Sequence, residues 1–231
     1  MAGGGGHEYL LGTDQLGRDI LSRIIYGSRI SLLIGLLSVV LSLPIGVGLG
    51  LLAGYFTGRL DDITMRIADV QLAFPFILLA ITIAGVLGPS PRNVILILAV
   101  GGWVVYARLA RGQALSLREK EFIEAARSLG GGSFRILFRH MLPNVVSPII
   151  VVGTFGVAQM ILLESSLSFL GLGVQPPTPS WGGMLNDGRP YITVAWWLTT
   201  LPGAAIMLTV LGINFVGDWL RDLLDPRLQS V

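Results

Sequence analysis

Apolar runs long enough to cross a bilayer constrain this chain more than any other feature of its sequence. They lie at about 30–56, 72–88, 93–110, 145–170 and 194–217. A helix needs ~20 apolar residues to span the hydrocarbon core, and within it every backbone amide must be paired inside the segment, which selects helices. The first, fourth and fifth runs meet that length. The second ("LAFPFILLAITIAGVLG") and third ("NVILILAVGGWVVYARLA") are shorter, and "GPSPRN" separates them, so the pair reads as a tight helical hairpin. Only 13% of the residues are charged, about half the share a soluble domain uses to coat its core. The expectation is an all-α polytopic membrane protein with about five transmembrane helices.

The connections set its orientation. Eleven of the sixteen arginine and lysine residues fall in the 57–71 and 108–144 loops and the C-terminal tail, against five on the other side. Cytoplasmic loops carry the excess of positive charge. The 108–144 loop and the C-terminus are therefore expected in the cytoplasm. Residues 1–29 are read as an extracytoplasmic segment without a cleavable signal peptide, 30–228 as the transmembrane domain and 229–231 as a tail. "MAGGGG" (1–6) reads as a cloning scar or a ragged start.

Several chemistries are missing. There is no cysteine, GxxxxGK[ST] loop, HExxH pair or GxSxG elbow, and the two histidines, His7 and His140, lie outside the spans. No catalytic or metal-binding residue is expected, and the arginines bracket apolar runs rather than forming a nucleic-acid-binding face.

Within the spans, Gly46, Gly50 and Gly54 lie on one helix face, where small residues let another backbone approach closely. Packing within the chain and a subunit interface both fit. Glu164 is flanked by long apolar stretches, where a carboxylate needs a partner or a watery cavity. It and Gln159 are candidates for a translocation path, and a structural role for Glu164 fits as well.

The 108–144 loop is unlike the rest. Residues from Ser116 to Arg127 favour helix, with glutamates early and Arg127 late, which suits the helix dipole. "GGG" at 130–132 breaks that helix. Ser133 is placed to cap a second helix, "FRILFRHM", ending before Pro143. Two helices joined at a glycine corner make either a projecting knob or an amphipathic loop lying on the inner leaflet.

The string "EAARSLGGGSFRILFRHMLPN" (124–144) resembles the EAA signature of bacterial ABC-importer permeases, with His140 standing at the usual isoleucine position. "GTDQLGRDILSRIIYGSRISL" (12–32), "DVQLAFP" (69–75) and "LLESSLSFLGLGVQPPTPSWG" (162–182) are similar to the C-type subunits of the dipeptide/oligopeptide/nickel permease subfamily. The resemblance covers Gly12 to Leu228. It implies the type I ABC-importer permease fold, in a bacterial or archaeal cytoplasmic membrane. The partners implied are a second homologous permease, two cytoplasmic ATPases that bind ATP and magnesium, and an extracytoplasmic substrate-binding protein. The chain itself would bind no cofactor. The EAA loop would dock on the ATPase, with Glu124 and Arg127 making polar contacts, Ala125 and Ala126 allowing close approach, Gly130 forming the corner and Pro143 stopping the second helix. The segment 171–195 is a candidate for receiving the binding protein. Members usually carry a further transmembrane helix before "GTDQLGRD", giving six, so a truncated start is expected. The alternatives are an ATP-independent transporter or channel, with Glu164 as an ion relay, and an assembly protein whose basic loop binds anionic lipid.

Overall fold

The computed structural model describes residues 9–224; "MAGGGG" and the 229–231 tail lie outside the described residues. The helices are α1 (Ile20–Phe56), α2 (Gly58–Ala73), α3 (Phe76–Leu87), α4 (Pro91–Arg118), α5 (Glu121–Ser128), α6 (Ser133–Arg135), α7 (Leu142–Phe169), α8 (Trp181–Gly188) and α9 (Trp197–Leu224). Extended pairing among the described residues is limited to one bridge, Thr13 with Asp19. Four helical stretches can each cross a membrane: Ile20–Phe56, Pro91–Arg118, Ser133–Phe169 and Trp197–Leu224. The pair α2 and α3 makes a fifth only as a broken span, bent by 88°.

The first helix starts at Ile20, ahead of its apolar run. Asp19 caps it, accepting the Ser22 amide at 2.9 Å. The glycine stripe settles into intrachain packing. A Cβ on Gly46 would lie 2.3 Å from the Trp103 carbonyl oxygen, and one on Gly50 2.2 Å from that of Ala107. One on Gly54 would lie 2.6 Å from the Ala114 side chain. The stripe is thus consumed by α4, whose facing residues Ala107, Ala110 and Ala114 are fully buried.

Thr57 and Gly58 both take positive φ and turn the chain sharply from α1 into α2. Two ion pairs then strap α2 to α4, Asp61 with Arg111 in a two-pronged contact at 2.5 and 2.6 Å and Asp69 with Arg108 at 2.6 Å. The apolar run 72–88 is not one helix. Pro75 forces Phe74 into extended backbone, leaving α3 only 12 residues. The Gln71 side chain fastens the elbow, donating to the carbonyls of Val100 and Gly101 at 3.0 and 3.1 Å and accepting from the Trp103 indole at 2.9 Å. α3 and α4 form the expected hairpin across Gly88–Ser90.

Two readings of the 108–144 loop need correcting. The helix expected from Ser116 to Arg127 breaks at Glu119–Lys120, because α5 must leave the α4 axis to seat Ile123, which is fully buried among core residues. Pro143 does not stop the following helix: α6, a π-helical turn (Ile136–Met141) and α7 form one rod of 37 residues. A proline ring collides with the carbonyl four residues back and donates no amide. The wider π turn relieves this, with the Leu142 amide reaching back to the Leu137 carbonyl and the Asn144 side chain donating to the His140 carbonyl at 2.6 Å.

Candidate functional site

Two polar regions stand at opposite ends of the bundle. At the first, α5 ends in a Schellman corner: the Gly130 amide donates to Arg127 at 3.0 Å, and the Gly131 amide to Ala126 at 2.9 Å. Gly130 takes φ +79°, a conformation cheap only for glycine. The corner residue is where the sequence put it. Ser133 is not a cap; the capping position is Gly132 and no side chain serves it.

The apolar set expected in the second helix splits. Ile136, Leu137 and Met141 are buried in the same cluster as Ile123, so they root the corner in the bundle. Phe134 and Phe138 stack on each other, ring centroids 4.4 Å apart, and are exposed. Leu129 at the tip is 89% exposed. Glu124, Ala125 and Arg127 face outward and Ala126 is half-buried against the core. The Arg127 guanidinium also lies over the Tyr55 ring at 5.8 Å, tying α5 to the end of α1. Pro143 is exposed. The result is a rooted projection that presents one acid, one base, a small side chain and three bare apolar ones.

At the other end, α8 and the residues before α1 are cross-linked by charge. Asp14 accepts from Arg18 and Arg23, both at 2.6 Å, and Arg23 and Arg18 reach Asp187 at 3.0 and 3.4 Å. Burial opposes the Asp14 charge. The Arg18 amide and guanidinium and the Leu16 amide outweigh it, holding the carboxyl below the ordinary aspartate value of 3.8. The segment 171–195 is not a plain loop: Ser180 caps α8 inside it, accepting the Gly183 amide at 3.1 Å.

The two path candidates on α7 do not come together. Gln159 is exposed, whereas Glu164 is fully enclosed within this chain. The Ser168 and Ser165 hydroxyls donate to its carboxylate at 2.7 and 3.4 Å. Sequence reasoning missed Gln71, the Asp61–Arg111 strap and the Asp14–Arg23–Asp187 cluster; the string "DVQLAFP" was the only signal for the first of them.

The chain is similar to known transport proteins over most of its length. Residues 46–230 match the family model described as binding-protein-dependent transport system inner membrane component. The chain is 48% identical over 227 residues to the di/tripeptide transport system permease protein DppC of Pseudomonas aeruginosa, covering 98% of this chain and 75% of the relative. It is 50% identical over 220 residues to the glutathione transport system permease protein GsiD of Pectobacterium atrosepticum, covering 95% and 73%. Among solved structures, a chain of the inward-facing MetNI methionine ABC transporter shares the fold, with TM-score 0.74 and 18% identity over 89% of this chain and 98% of that one. The fold is that of a type I ABC permease. With a family model over most of its length and relatives close to half identical, the chain belongs to the inner membrane components of binding-protein-dependent transport systems, as a multi-pass ABC-importer permease subunit and not an enzyme.

Proposed function

We propose that this chain forms half of the translocation pathway of an ATP-driven importer for di- and oligopeptides or similar small solutes. A second homologous permease supplies the other half. Two cytoplasmic ATPases, which bind ATP and magnesium, supply the energy, and an extracytoplasmic binding protein delivers the substrate. The C-terminus and α5 lie in the cytoplasm. The substrate class rests on the peptide and glutathione transport named for the relatives.

The observation that carries the reading is the rooted projection at α5. Glu124 and Arg127 offer polar contacts, Ala125 offers a surface without bulk, Gly130 fixes the corner, and Leu129, Phe134 and Phe138 offer apolar area that a separate protein would cover. Ala126 acts inward, seating α5 on the core, while Pro143 is exposed just beyond the π turn. Gln159, exposed on α7, is the path candidate facing away from this chain's own core.

Single cysteines at Ala125 and Ser133, both exposed, test the docking in a chain that has no cysteine of its own. In membranes containing all partner subunits, both positions are expected to crosslink to the ATPase, with yields that change on ATP addition. Transport without the ATPases, and no crosslink at either position, would favour an ATP-independent transporter or channel instead.

A further inference from the structure

Glu164 has a role that neither the pathway nor the ATPase contact uses. Its carboxylate is wholly enclosed, and its neighbours are hydroxyls rather than a cation. One of those hydroxyls passes the interaction on. Ser168 donates to Glu164 at 2.7 Å while accepting the Val174 amide at 3.2 Å. Ser31 on α1 accepts the Trp181 amide at 3.4 Å. Val174 and Trp181 are the two ends of the exposed stretch Gln175-Pro176-Pro177-Thr178, with Pro179 and Ser180 completing it. The Val174 foot of this proline-rich arch therefore hangs from the buried carboxylate through Ser168, and the Trp181 foot from α1 through Ser31.

The packing around the arch is as tight as the hydrogen bonding. A Cβ on Gly173 would lie 2.0 Å from the Ser168 hydroxyl oxygen, and one on Gly182 would lie 2.4 Å from the Ser165 carbonyl oxygen. Beneath the arch is a cavity of about 180 Å³ lined by Arg23, Ser168, Gln175, Thr178, Asn186 and Asp187. The arch is thus a free-standing exposed span with fixed feet. Prolines limit its conformations, so position is decided at the feet.

We infer that Glu164 is a positioning residue that holds the 174–181 arch as a preformed surface for the extracytoplasmic binding protein. This rests on the import reading above for the identity of the partner. A preformed surface binds without the cost of ordering it, and a carboxylate accepting from Ser168 and Ser165 together fixes the hydroxyl that holds the Val174 foot.

A single cysteine at Val174, buried at the foot that Ser168 holds, reports release of the arch through its rate of labelling by a membrane-impermeant maleimide, in the full chain assembled with its partners. Glu164→Ala is expected to raise that rate about tenfold, the scale of losing one buried hydrogen-bond partner. Glu164→Gln keeps an acceptor for Ser168 and is expected to restore labelling to within about twofold of the parent. In reconstituted transporters, Glu164→Ala is also expected to raise the binding-protein concentration for half-maximal ATPase stimulation, with a smaller change in the maximal rate. Unchanged labelling in Glu164→Ala, or an equal rise in Glu164→Gln, overturns the inference. Raised labelling with an unchanged half-maximal concentration overturns the receiving role. Should Glu164→Ala fail to accumulate, Ser168→Ala frees the Val174 foot; labelling must rise in it, and no rise refutes the anchoring. The labelling needs no ATP, so it decides the anchoring even if a parent assembly without stimulated hydrolysis disproves the import reading.

Discussion

Replacing Gly50 by alanine adds one methyl group where the structure leaves no room. Its Cβ would stand 2.2 Å from the Ala107 carbonyl oxygen, so α4 would have to retreat by about 1 Å or more to reach ordinary contact. The obstacle is helix backbone, which cannot rotate away as a side chain can. Overpacking of this kind costs about 1–3 kcal/mol, and a rigid neighbour puts Gly50 near the upper end. Alanine in a helix returns ~1 kcal/mol relative to glycine. The net loss is about 2 kcal/mol, which in a chain of this size lowers the melting temperature by about 4–8 °C. Gly48 is the internal control, because a Cβ there meets nothing within 4 Å. Gly48→Ala keeps only the helix gain and is expected to raise the melting temperature by about 2–4 °C. Both are read by fluorescence-detected size exclusion after heating the purified chain in nanodiscs. If Gly50→Ala melts no lower than Gly48→Ala, the α1–α4 contact is not the close backbone packing described.

The charged cross-links give two more tests. Asp14→Asn removes the buried acid from both arginines and is expected to cost about 3 kcal/mol at neutral pH. Because the folded carboxyl titrates below its ordinary 3.8, this stabilisation is present above that pH and disappears as the pH falls through the folded value. Melting curves of parent and variant should therefore keep their separation from pH 7 down to the ordinary aspartate value of 3.8 and draw together only below it; a separation already lost at pH 5 contradicts the assignment. At the other end, Asp61 is the more buried of the two α2 straps, with 12% of its side chain exposed against 64% for Asp69. Asp61→Asn should lower the melting temperature measurably, whereas Asp69→Asn should stay within the ~0–1 kcal/mol typical of exposed pairs; equal effects would mean that burial does not set their strength.

The sequence carried the spans well because a bilayer imposes one requirement, apolar length, that is written locally. It carried the α5 corner for the same reason: Gly130 is needed by the conformation of its own backbone, and nothing distant decides it. The features it hid depend on partners far along the chain. Gln71 looks like an ordinary polar residue until Trp103 and the carbonyls of α4 are brought to it. Arg23 looks like a topology marker until Asp14 and Asp187 converge on it. The break at Glu119–Lys120 is hidden differently, since every residue there favours helix and only the burial of Ile123 forces the turn. Glu164 was flagged by cost alone, and cost does not say whether hydroxyls or an open path meets it.

Pro143 is where the difference between the two readings has a mechanical consequence. A helix ending there would leave a joint between the corner at Gly130–Ser133 and the membrane span, and movement of α5 would be absorbed in that joint. The π turn removes the joint. Ile136, Leu137 and Met141 are buried within the turn itself, so the turn is clamped rather than free to flex. From Ser133 the rod continues to Glu164 over about 45 Å of helix, with the corner at one end and the feet of the arch at the other. On the import reading, a displacement imposed on α5 by an ATPase reaches the arch as rigid tilting or sliding of α7. Its contacts along the way are sideways, chiefly against α1, α4, α8 and α9.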